Sequence, residues 1–112
     1  MKAEDSVYTV KDNKIFLQND QNVLELRDRA KKIAFQKAFY ILAKKILEPS
    51  QIRKLDRFEN PEISSLIRDF KIVEEKITEI NYSANISVNF NPKLTLDFFS
   101  NLGIRSKVLV SE

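Results

Sequence analysis

Nine residues set the strongest limit on what this chain can become. From Tyr82 to Phe90, Tyr82, Ala84, Ile86, Val88 and Phe90 alternate with Ser83, Asn85, Ser87 and Asn89. A period of two is what a strand with one dry face and one wet face requires. The outward set is amides and hydroxyls, which offers hydrogen bonds rather than a catalytic group. Ahead of this run, Phe70 and Ile72 begin a strand that continues towards Ile77, and Glu79-Ile80-Asn81 turns the chain, so that Tyr82 to Phe90 returns antiparallel. After it, Asn91 caps a helix that Pro92 opens. Leu94, Phe98, Phe99 and Leu102 line that helix, and Gly103 closes it as a left-handed residue past its end.

The first half of the chain reads differently. Val7 to Val10 and Lys14 to Gln18 are extended, with turn chemistry at Lys11-Asp12-Asn13 between them, so they form either a hairpin or a strand preceded by a loose arm. Asn22 with Glu25 three positions on resembles a capping box, and a long helix follows. Leu26, Ala30, Ile33, Ala34, Ala38, Ile41 and Leu42 recur at spacings of three and four and share one face. The alanines at 30, 34 and 38 let that face sit close to a sheet. Phe35, Phe39 and Ile46 extend the apolar surface round the side, and Pro49 ends the helix near Leu47. Ser50 to Phe58 makes a short second helix, and Asn60-Pro61 opens another turn or two over Glu62 to Leu66. Val108-Leu109-Val110 is available as a last strand.

At 112 residues the chain is the length of one domain with one core. The expected class is α+β: an antiparallel sheet of three to four strands, with the long helix and the shorter C-terminal helix packed on one face. The order βαββα(β) is ferredoxin-like.

Composition narrows the chemistry. There is no His and no Cys, so the commonest general base, the thiol nucleophile and the commonest transition-metal ligands are missing. The single Gly leaves no glycine-rich phosphate loop. Glu74 and Glu75 are adjacent on a strand and point to opposite faces, which rules them out as a neighbouring carboxylate pair. Pairing of Glu74 or Lys76 across to the strand near Tyr82 is the expected role. No loop carries closely spaced oxygen ligands for a hard cation. The expectation is a protein that is not an enzyme and has neither cofactor nor metal. No apolar run approaches the ~20 residues of a membrane span. Met1 to Asp5 has no apolar core, and Ala3 before the acids fits the remnant of a cleaved leader and an ordinary polar tail equally well.

Charge is uneven. Between Arg27 and Arg57 ten basic residues stand against Asp28, Glu48 and Asp56, which leaves the remainder net acidic. Lys31, Lys44, Lys45, Arg53, Lys54 and Arg57 are the candidates for a contact surface, and a basic helical region of this kind suits nucleic acid or an anionic surface. The simpler reading is that these side chains solvate the outer face of a core helix, since they are spread around it. Phe99, adjacent to Phe98 on a helix with one wet side, joins the candidate surface if it is exposed.

Tyr8-Thr9-Val10, Arg27, the alanines at 30, 34 and 38, Ile67-Arg68-Asp69-Phe70, Glu74-Glu75, Tyr82, Phe90-Asn91-Pro92 and Leu102-Gly103-Ile104 form a layout. It resembles the N-terminal region of the exported proteobacterial family called domain of unknown function 2066, over Tyr8 to Val110. The resemblance implies a periplasmic or envelope-associated location, with the cytoplasm as the alternative, and a longer exported parent of which 1–112 is one domain. It supplies no catalytic residue. The expected function is therefore a non-enzymatic envelope domain that mediates protein contact, its partner an envelope protein or the remainder of its own parent chain. Nucleic-acid or anionic-surface binding through 27–57 is the alternative. Self-association through edge strands at Val7 to Val10 and Val108 to Val110 is a further expectation.

Overall fold

The computed structural model of the chain describes residues 7–19, 22–55 and 60–104. Thr9–Val10 (β1) and Lys14–Gln18 (β2) precede the long helix Val23–Ile46 (α1). Pro49–Ile52 (α2), a 3-10 turn at Arg53–Leu55 and Asn60–Ser64 (α3) connect α1 to the hairpin of Ile67–Ile77 (β3) and Asn81–Phe90 (β4), and Pro92–Asn101 (α4) follows.

Among the described residues all strand pairing runs through β4. β3 lies antiparallel on one side of it, and β1 and β2 lie antiparallel on the other, one after the other along the same edge. Neither a hairpin nor a loose arm forms at the N-terminus. Thr9 and Val10 oppose Asn89 and Val88, Lys14 to Gln18 oppose Asn85 to Asn81, and 11–13 bulge out between them. Asp12 takes a positive φ of 54° in that bulge, a conformation that Asp tolerates better than most residues. Asn13 turns inward there, nearly fully buried, and its Nδ2 donates to the Ala34 carbonyl at 2.9 Å, which ties the sheet edge to α1.

The alternation in β4 holds throughout: Tyr82, Ala84, Ile86, Val88 and Phe90 are buried, and the residues between them are not. α1 packs over β1, β2 and β4, with Ala30, Ala34 and Ala38 fully buried at the contact. Asn22 caps α1 by accepting from the Leu24 and Glu25 amides at 3.0 and 3.2 Å, and Leu47 ends it two residues before Pro49. Ile33 and Ile41 are only partly buried; Phe35, Phe39, Ala43 and Ile46 carry more of the core.

Two boundaries and one helix face differ from expectation. β3 starts at Ile67 rather than Phe70, because Ile67 already pairs with Phe90. The second helix begins at Pro49, with 56–59 outside the described residues. In α4 the core-facing pair is Thr95 and Phe99, one turn apart, whereas Leu94 and Leu102 are exposed. Asn91 does cap α4, accepting from the Leu94 amide at 2.9 Å, and Gly103 does take a left-handed φ of 73°. Val108 to Val110 lie outside the described residues, and with them the last strand of a ferredoxin-like order.

Candidate contact surface

β3 is the anomaly of the fold. Its eleven residues include Ile67, Phe70, Ile72, Val73 and Ile77, yet none of the eleven is buried. The cause is position. Among the described residues β3 pairs only with β4, and α1 lies over the opposite half of the sheet, so the helix-facing side of β3 extends beyond its cover. Opposite the buried residues of β4 stand Ile67, Phe70, Ile72, Glu75 and Ile77. The register slips once at Arg68 and again at Val73, which moves the helix-facing positions from even to odd numbers after Ile72. Asp69, Lys71, Glu74 and Lys76 consequently line the far face.

The flank of α1 supplies a rim to this strand. The Phe35 ring meets Phe70 edge-on at 5.3 Å between centroids, and the Lys31 ammonium stands 5.7 Å from the same ring. Arg27 donates through Nε and Nη2 to both carboxylate oxygens of Glu75 at 2.9 Å, and the Tyr82 hydroxyl donates to Oε2 at 2.6 Å. The bond from Arg27, then that from Tyr82, holds the Glu75 carboxyl below the usual carboxylate range. Burial first, and the bond to Glu75 second, push the Tyr82 phenol up to about 12. These three groups satisfy one another and anchor β3 to α1; nothing about them offers a free acid or base.

Among the described residues no helix lies on the far face of the sheet. Asn81, Ser83, Asn85, Ser87 and Asn89 run along its centre, and Phe16, 74% exposed, stands beside Ser83. Thr9 Oγ1 donates to Asn89 Oδ1 at 2.7 Å, and Asn89 Nδ2 donates to Asp69 at 2.5 Å, so one polar chain crosses all three strand paths. A shallow depression of about 400 Å³ lies between Phe16, Lys14, Lys76 and Glu74.

The described basic candidates do not converge. Lys31 lies on the β3 side of α1, whereas Lys44 and Lys45 occupy its last turn, about 20 Å along the axis at 1.5 Å per residue. Several cations of the region are engaged within the chain: Arg27 with Glu75, Lys32 with Asp28 at 3.2 Å, and Lys37, which donates to the Lys14 carbonyl at 2.6 Å. Arg53 is exposed in the 3-10 turn; the side chain of Lys54 and all of Arg57 lie outside the described residues. Phe99 is no surface residue. It is 1% exposed, with its ring 5.7 Å from that of Phe39, because the phase of α4 turns it and Thr95 inward.

Reasoning from sequence overlooked the Arg27–Glu75–Tyr82 link. Its signal was present: Phe70 and Ile72 are even and Ile77 is odd, so a strand through all three changes parity, and the change turns Glu75 inward, where a carboxylate needs a partner. Among the described residues no helix is long and apolar enough to cross a membrane. No family model, curated protein or solved structure matches the chain.

Proposed function

We propose that this domain is a non-enzymatic protein-contact module whose contact element is the β3 edge. The observation that supports this most is the row of Phe70, Ile72, Val73 and Ile77, all about half exposed on a strand with one side unpaired among the described residues. An unpaired edge of this length carries a ladder of backbone donors and acceptors that another strand can complete, while the side chains provide selectivity. The other described edge is shorter and broken by the bulge at 11–13. An envelope location and a longer parent chain belong to the same reading; they rest on the layout of residues that resembles the exported family.

Nucleic-acid binding through 27–57 has less support, because its cations are dispersed along α1 and several are held within the chain. A photoreactive residue at position 73, irradiated in cells, tests the proposal. The expected products are adducts with protein, lost when proline at position 71 or 72 distorts the edge. Adducts with nucleic acid, or none at all, would overturn it.

A further inference from the structure

The geometry points to a second copy of this chain as the strand that completes β3, in one particular register. This rests on the proposal that β3 is a contact edge and goes beyond it by naming the occupant. In a twofold pairing each surface meets itself, so residue i meets j and j meets i. Two strands can pair this way only if opposed residues lie on the same face of the joined sheet.

The slip at Val73 decides which registers satisfy that condition. Ahead of it Asp69 and Lys71 face away from the helix; beyond it Glu74 and Lys76 do. An axis between Ile72 and Val73 sets Lys71 against Glu74 of the second copy and Asp69 against Lys76 of the second copy. The symmetry repeats both, giving four opposite-charge pairs in a row on the far face. On the helix side Phe70 meets Glu75 of the second copy, with Lys31 already over the Phe70 ring. Ile72 and Val73 of the two chains lie at the axis. Shifting the axis one residue towards the C-terminus opposes Lys71 with Lys76, and shifting it one towards the N-terminus opposes Asp69 with Glu74. Like charges directly opposed destabilise a pair and opposite charges support it. Of these three registers only the central one is complementary to itself.

Bulges and edge lysines commonly protect a strand from promiscuous pairing. In β3 both features have a second consequence: the bulge restores face matching between the two halves of the strand, and the lysines select one register. The same sequence thus disfavours other strands while accepting its own.

The test uses the full chain and two charge reversals, with mass measured by sedimentation equilibrium over a wide concentration range. The wild type is expected to reach twice its 13.1 kDa mass as concentration rises. Lys71→Glu places Glu against Glu74, and Glu74→Lys places Lys against Lys71, so each variant alone is expected to remain monomeric at concentrations where the wild type is dimeric. Mixed in equal amounts they are complementary at every such pair, and a heterodimer should form. Circular dichroism confirms that each variant is folded, which the exposure of both positions favours. A wild type that stays monomeric, single variants that dimerise like the wild type, or a mixture that does not associate would each overturn the inference. In those cases adducts at position 73 to a different protein would still uphold the contact role of β3, and their absence would remove both.

Discussion

β3 and β4 are neighbours joined by a turn at 78–80, run antiparallel over eleven and ten residues, and have comparable apolar content, yet one is core and the other is surface. Ile72 and Ile86 show the difference in a single pair: they face each other in the register, and Ile86 is 1% exposed while Ile72 is 41% exposed. β4 has a strand on each side and α1 above it. Among the described residues β3 has a strand on one side, and only the flank of α1 reaches it. Hydrophobic sequence therefore does not separate the two strands; their cover does. An apolar strand left without cover is a surface that a partner can use.

The sharpest contrast should appear in truncations at the opposed isoleucines. Ile86→Ala is expected to cost about 2 to 5 kcal/mol, the range for emptying a well-packed core site. Ile72→Ala in dilute solution should cost under about 1 kcal/mol, because much of its side chain stays in water. Equal losses in urea titrations would break the comparison. Next in size is Ala38→Leu, which forces extra volume between α1 and the sheet and should destabilise by about 1 to 3 kcal/mol. Val73→Ala on the exposed strand should change stability by no more than about 0.5 kcal/mol.

Smaller effects come from the link between the two strands. Glu75 has a lowered pKa in the folded chain, so its contribution is present above its ordinary pKa of 4.5 and is lost as pH falls through the lower folded value. Tyr82 has the opposite displacement. Between its ordinary pKa of 10.0 and about 12 the unfolded chain loses the phenolic proton and the folded chain keeps it, so stability falls across that window. Urea midpoints measured against pH should show Glu75→Gln flattening the acid limb and Tyr82→Phe flattening the alkaline limb. Limbs unchanged in both variants would show that the link does not couple β3 to the fold.

The sequence carried much of this architecture. Period-two alternation located β4 to within one residue, and Asn22, Pro49, Asn91 and Gly103 marked helix ends through capping chemistry that acts locally. What could not be read was which elements lie next to which. Turn residues at 11–13 fit a hairpin, a strand preceded by a loose arm, and a bulge alike, and only the shared partner β4 distinguishes them. The place of Phe99 stays open in the sequence because two adjacent aromatics on a helix leave the phase ambiguous until α1 supplies Phe39. The exposure of β3 was invisible for the same reason: an apolar pattern records what a strand can bury and says nothing of whether α1 reaches it. The described candidates drawn from charge alone lie apart along the chain's surface, whereas the proposed β3 surface is apolar and lacks a second neighbour among the described residues.

Amide hydrogen exchange, resolved residue by residue across a range of protein concentrations, tests the central claim most directly. β4 is bonded on both sides, so its amides should exchange slowly at every concentration. In dilute solution the β3 amides not bonded to β4 should exchange far faster. As concentration rises these same amides should slow towards the β4 values, with the amides from Asp69 to Lys76 protected together. Outward β3 amides that exchange equally fast at the lowest and the highest concentrations would contradict the account, because the edge would then remain open where a second copy was available to close it.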